Sequence, residues 1–201
     1  MMIVPPSPVR RTAETRLPEI AAAARALIAE RGFEGLRTRD IADRVGINIA
    51  TLHYHVPTKE RLIEIVAQSM RDDFIAENKA RPRDGLSPLE ELKLELAESR
   101  ATMRDKPELY VVFTELVERA RRDPRVDAAI RPMQQYWHQQ LTDIFARGRR
   151  DGSFRPDIDP RAAALVMMGA LMASLRPLIQ GVVQFDRLAD ELLRCFVNPR
   201  R

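Results

Sequence analysis

Apolar positions recur at three- and four-residue spacing along nearly the whole chain, and no stretch alternates with the period of two that marks a strand. Ile20, Ala24, Leu27 and Ile28 define the inner face of a helix over residues 18–31, which Gly32 ends. Ile41, Ala42 and Val45 give a short helix capped by Thr38 and closed at Gly46, where glycine tolerates positive φ. Asn48 caps a second short helix, residues 48–55, with Ile49 and Leu52 on one side; Pro57 stops it. Thr58 caps a longer helix to about residue 78, along which Leu62, Ile65, Val66, Met70 and Phe74 form a stripe. A polar loop with Pro and Gly follows at 79–86.

Ser87, Pro88 and Glu90 then make a capping box for a helix carrying Leu89, Leu92 and Leu96 to about residue 105. Pro107, Pro124 and Pro160 open three more helices, the last running to about residue 179, and a ninth covers 185–198. The expected fold is all-α: about nine helices, with a three-helix N-terminal unit ahead of a larger bundle. The expected divisions are a disordered arm at 1–14, a first domain at 15–60 and a second at 61–201.

Composition supports this picture. The 201 residues are 45% hydrophobic and 31% charged, enough for a substantial core, and only 5% aromatic. The net charge of +4 permits nucleic-acid binding. Residues 1–60 hold nine Lys/Arg against seven Asp/Glu, so that case rests on the helix pair and not on charge. Cys195, the single cysteine, excludes an internal disulfide; in the run LLRCF it is expected to be a buried, inert thiol. No stretch reaches the roughly 20 apolar residues of a membrane span, and MMIVPPSPVRR lacks the apolar core of a secretory signal. A cytoplasmic protein is expected.

A short helix, a glycine turn and a second short helix is the helix-turn-helix plan, whose second helix enters the DNA major groove. The run AERGFEGLRTRDIADRVGINIATLHYHVPTKERLI also resembles the DNA-binding domain of the TetR (tetracycline-repressor) family of transcriptional regulators, over about residues 17–66. The matching features are the Gly-Phe before the pair, Thr38, Ile41-Ala42, Val45-Gly46-Ile47, Thr51-Leu52, Tyr54-His55 and Lys59-Glu60 with Leu62. His53 stands where many members have Tyr, and Val56 where many have Phe.

The resemblance implies phosphate contacts from Thr38, His53, Tyr54 and Lys59, with His55 beside them. Thr38 and Lys59 lie at helix starts, where free N–H groups favour an anion. Base reading falls to Arg39, Asn48, Ile49, Ala50 and Thr51: Arg39 toward guanine, Ile49 or Ala50 toward a thymine methyl. Packing of Ile49 inside is the alternative for that residue. The recognition helix has little polar reach, so shape readout is expected to contribute.

The resemblance further implies a small-molecule site in the regulatory helices. Met103, Tyr110, Phe113 and Met133 supply adaptable apolar side chains, as do Trp137, Met167, Met168 and Met172. His138 and Glu115 are polar candidates; plain core is the alternative for each apolar residue. A homodimer interface is expected on the last two helices, at Ala163, Ala170, Leu171, Ser174 and Leu178, then Leu188, Leu192 and Phe196. Intramolecular core competes with that placement.

His53 and His55 point to different sides of a helix, and no His or Cys partners His138 at ligand spacing, so no metal is expected. No nucleophile elbow or phosphate-cradling loop occurs, so neither a cofactor nor catalysis is expected. The expected function is a homodimeric repressor that binds operator DNA and is released by a small-molecule effector. The alternatives are a regulator answering to a protein partner and a helical enzyme with an appended helix-turn-helix.

Overall fold

The computed structural model describes residues 13–80, 83–174 and 185–198. They form nine α-helices: α1 (Ala13–Arg31), α2 (Thr38–Val45), α3 (Ile49–His55), α4 (Lys59–Ala80), α5 (Pro88–Asp105), α6 (Pro107–Ala120), α7 (Pro124–Asp151), α8 (Pro160–Ser174) and α9 (Phe185–Phe196). The stretch expected as a disordered arm lies outside the described residues up to residue 12. Ala13 and Glu14, placed in that arm, belong to α1. Pro18 therefore lies inside α1 and does not open it. At the sixth position of α1 it removes the N–H that would bond the Glu14 carbonyl, a loss confined to the first turn of the helix.

Two other local expectations change. Thr38 is the first helical residue of α2 and does not cap it; Arg37 holds the cap position, extended and without a side-chain cap bond. Cys195 is exposed. Leu192 and Phe196, four apart, take the inward direction of α9, and the residue before Phe196 is turned off that line. The end expected near residue 179 for the helix opened by Pro160 lies outside the described residues, and several other terminators and caps stand. Gly46 closes α2 at φ 72°, Asn48 Oδ1 accepts from the Thr51 N–H at 2.7 Å, and Thr58 Oγ1 accepts from the Arg61 N–H at 3.1 Å. Ser87 and Glu90 make the capping box of α5.

Helix α7 is the scaffold of the larger unit, packing against α4, α5, α6 and α8. Two apolar cores lie along it. The first joins α1–α3 to α4, α6 and the opening half of α7, through Ile28, Ile41, Leu52, Ile63, Leu116 and Ile130. The second joins α5, the closing half of α7, α8 and α9 around Leu92, Phe145, Phe154 and Met167. The first core runs without a break across residue 60, so the three-helix N-terminal unit and the start of the bundle share one interior.

Phe145 stacks on Phe154 and Phe196 at ring-centroid distances of 5.3 and 4.7 Å. There the α7–α8 connection meets the end of α9 through an isolated antiparallel bridge, the Arg155 N–H donating to the Phe196 carbonyl at 3.0 Å. Among the described residues no helix is long and apolar enough to cross a membrane, and no cluster of three ligating side chains could hold a metal.

Candidate functional site

The helix pair is held by its buried side. Ile41, Ala42, Leu52 and Val56 pack on α1, so the opposite side of α3 faces outward. On that side Asn48, Ala50 and His53 are exposed, Ile49 is 42% exposed and Tyr54 82% exposed. Of the two placements open for Ile49, the outward one holds. Thr51 and His55 are half-buried at its edges, and the Tyr54 and His55 rings meet edge to face at 5.2 Å. Asn48 uses Oδ1 for its own helix cap, which leaves Nδ2 as the outward donor.

Charge is sorted in the same way. Arg31 pairs with Asp40 at 2.9 Å, and Arg44 grips Glu30 through two bonds of 2.8 and 3.1 Å. That pairing holds the Glu30 carboxyl below its ordinary value. These pairs lace α2 to α1. Arg37, Arg39 and Lys59 have no ion-pair partner among the described residues, and Arg37 and Arg39 are exposed. Unpaired cations beside a protruding short helix suit a polyanion, since each can replace a condensed counterion at a phosphate.

Behind this unit a cavity of about 360 Å³ opens between α1, α4, α5, α6, α7 and α8. Of the eight expected pocket residues, Tyr110, Phe113, Met133, Trp137 and Met172 line it. Met103, Met167 and Met168 do not. Met167 is fully buried and Met168 half-buried in the second core, while the Met103 sulfur stands 3.9 Å from the Ser174 hydroxyl, which donates to the Leu171 carbonyl at 2.7 Å. The helical stripe carrying the methionines of α8 divides between the two cores, which spacing alone does not separate. Neither expected polar group lines the cavity. His138 contacts the Arg161 carbonyl at 3.2 Å, and Glu115 sits in a shallow surface depression with Phe33 and Arg119.

The polar side of the cavity is built by other residues. Arg25 of α1 bonds Asp73 of α4 at 2.5 Å, and Lys106 bonds Glu77 at 2.9 Å. That bond to Glu77 holds the Lys106 ammonium above its ordinary value. Glu95, Glu98, Ser99 and Thr102 of α5 and Gln134 of α7 complete it, and the Tyr110 hydroxyl donates to the Ser99 carbonyl at 3.2 Å. Glu95 is buried, as is Glu91 one turn earlier, which takes two bonds of 2.6 and 2.8 Å from Arg147. A signal for both was present: Glu91 and Glu95 sit four apart beside Leu92 and Leu96, on the buried face of their helix.

The expected dimer residues divide. Ala163, Leu171, Ser174, Leu192 and Phe196 are already buried within the subunit, so intramolecular packing holds for them. Ala170 and Leu188 are half-buried against the same core, and Leu178 lies outside the described residues. The outward side of α8 is a different stripe, Ala162, Leu165, Val166 and Gly169, with Leu165 61% and Val166 56% exposed. Helix α8 is apolar on both sides, so its sequence did not reveal which side the core takes.

An outward recognition helix on a core-packed partner defines a helix-turn-helix DNA-binding unit joined to a helical bundle with an internal cavity. The chain matches the model for bacterial regulatory proteins of the tetR family over residues 20–66 and that for the tetracyclin repressor-like C-terminal domain over residues 84–196. It belongs to the TetR family and is a DNA-binding transcriptional regulator, not an enzyme. It is 28% identical over 145 residues, 72% of this chain and 70% of the other, to the HTH-type transcriptional repressor KstR2 of Mycolicibacterium smegmatis. The solved structure of the ketosteroid transcriptional regulator KstR2 of Mycobacterium tuberculosis superposes with a TM-score of 0.69 at 23% identity, covering 91% of this chain and 95% of that one. A TetR-family regulator from Agrobacterium tumefaciens superposes with a TM-score of 0.80 at 20% identity, covering 93% and 100%.

Proposed function

We propose that this protein is a homodimeric repressor that leaves its operator when a small molecule fills the cavity between α1, α4 and the regulatory helices. The observation that carries this reading is Arg25. It belongs to the DNA-binding unit, yet it lines the cavity. An occupant therefore touches the DNA-binding unit directly, and through Arg25 it also touches α4 at Asp73. A ligand that binds one setting of these helices better than another shifts DNA affinity by that difference, typically about 1–3 kcal/mol.

Thr38, His53, Tyr54, His55 and Lys59 take the phosphate roles in this proposal. Arg39, Asn48, Ile49, Ala50 and Thr51 face the base edges. The exposed Leu165–Val166 stripe of α8 is the proposed two-fold contact, since two large apolar residues side by side on an outward helix are best covered by their own copies. The dimer then sets two recognition helices about 34–36 Å apart, one turn of DNA. A place with the DNA, in the cytoplasm, belongs to the same proposal, and so does repression, the activity named for the KstR2 relatives.

Operator fragments selected from the source genome, titrated with and without candidate compounds, test the whole reading. Release by a compound that also quenches Trp137 supports it. Tight operator binding that no cavity ligand alters would count against the effector half, and a Leu165→Glu variant that stays dimeric in sedimentation would count against the α8 contact.

A further inference from the structure

The charged side chains of the cavity wall are taken up with one another. Arg25 pairs with Asp73 at 2.5 Å and Lys106 with Glu77 at 2.9 Å. The side chains of Asp73, Lys106 and Glu77 are 57%, 51% and 46% exposed. Water screens charges this open, so a ligand ion gains little beside them. On α5 Glu95 is buried and takes a bond from Arg83. Drawing either of those two toward a ligand ion would strand the other out of water. Glu98 stands 3.9 Å from the same guanidinium and has a further interaction, so it is no free carboxylate either. An uncharged ligand disturbs none of these groups.

What the wall leaves open is neutral. Glu95, Glu98, Ser99 and Thr102 line the cavity from one face of α5, at helical spacing. Among the described residues, the hydroxyls of Ser99 and Thr102 have no hydrogen-bond partner, and neither has the side-chain amide of Gln134 on α7. All three residues are half-buried. Each group both donates and accepts, so each can serve a carbonyl or a hydroxyl of a ligand. Beside them the wall is apolar: Phe74 and Trp137 meet at 6.3 Å, and Leu109, Phe113, Leu171 and Met172 line the same space. Such a wall suits an apolar body held by many contacts and oriented by a few polar ones.

We propose that the effector is an uncharged molecule, an apolar body carrying one neutral hydrogen-bonding group (an amide, ester or alcohol), which Gln134 and Thr102 bond while the ion pairs of the wall stay closed. This rests on the reading of the cavity as the effector site. The chain's single tryptophan, Trp137, lies in the wall and reports binding by its fluorescence.

Four probes on one phenylpropyl skeleton separate the outcomes: the carboxamide, its isopropyl isostere, the carboxylate and the aminomethyl compound, which is protonated at neutral pH. Calorimetry on the full-length protein should show the carboxamide binding about tenfold or more tighter than either ion. A variant carrying both Gln134→Leu and Thr102→Val should lose about tenfold in affinity for the carboxamide and keep its affinity for the isopropyl isostere. Circular dichroism checks that the variant is folded. Binding of either ion as tight as that of the carboxamide, or a carboxamide affinity that the variant leaves unchanged, overturns the proposal and leaves the cavity an effector site for another chemistry. No binding of any probe, or binding to which Trp137 does not respond, overturns the proposal together with the effector reading.

Discussion

The Arg25 guanidinium donates to Asp73 Oδ2 at 2.5 Å, tying the first helix of the DNA-binding unit to the helix that leads out of it, at the edge of the cavity. The Arg25 side chain is 20% exposed and that of Asp73 57% exposed. A pair this open adds at most about 1 kcal/mol to stability, and its importance lies in position. Arg25→Ala and Asp73→Ala should therefore leave the unfolding midpoint nearly unchanged while reducing the ratio of operator affinities without and with effector. Operator titrations of the two single variants and the double variant give the coupling directly.

In the proposed interface Tyr54 and Lys59 contact the DNA backbone. Replacing either by Ala should weaken binding to specific and unrelated DNA alike, because phosphate contacts carry no sequence information. For Lys59→Ala the slope of log affinity against log salt should fall by about one. Fluorescence anisotropy at several salt concentrations measures both, and unchanged affinity in both variants would refute the placement of the interface.

Gly148 lies against the ring of Phe154, where an added Cβ would stand 2.1 Å from a ring carbon. Phe154 is fully buried between Phe145 and α9 and has no room to retreat. Gly148→Ala should cost about 1–3 kcal/mol through overpacking. Denaturant unfolding reads this, and the folded fraction should keep its DNA affinity because the α3 surface is untouched.

Acid should loosen the fold with a definite sign. The Ser87 hydroxyl and backbone N–H both bond Glu90, at 2.7 and 2.8 Å, and hold its carboxyl below the ordinary glutamate value. The Asp159 carboxyl is lowered likewise by the N–H groups of Ala162 and Arg161. The unfolded chain then takes up these protons more readily than the folded one. The stabilisation is complete above the ordinary carboxyl values and is lost as pH falls through the lowered ones. The thermal midpoint should fall as pH drops below about 5, and Glu90→Gln should make that fall shallower.

Much of this protein is determined locally and is legible in its sequence. Gly46 can adopt φ 72° where most residues are strained, and Asn48, Thr58 and Ser87 carry oxygens that satisfy N–H groups at helix starts. These depend on neighbours within a few residues, so the order of helices and the helix-turn-helix follow from the chain alone. Ile49 shows the limit even there: its spacing with Leu52 suggested one side, yet only Leu52 turns inward, because α1 covers one side of α3 and no more.

Tertiary structure decided what the helices do to one another. Helix α8 is apolar all round, and only its packing on α7 assigned Ala163, Met167 and Leu171 to the interior and Leu165 and Val166 to the surface. The cavity was half legible. The family resemblance implied a pocket with Tyr110, Phe113 and Trp137 but not Phe74, while Arg25, Asp73 and Glu95 come from three helices distant in sequence. A charged residue on an amphipathic helix reads as solvated until another helix closes over it. Sequence determines the helices, most of their ends and the helix-turn-helix motif through local bonding. The ion pairs of the cavity and the outward side of α8 exist only once long-range packing has removed some side chains from water and left others in it.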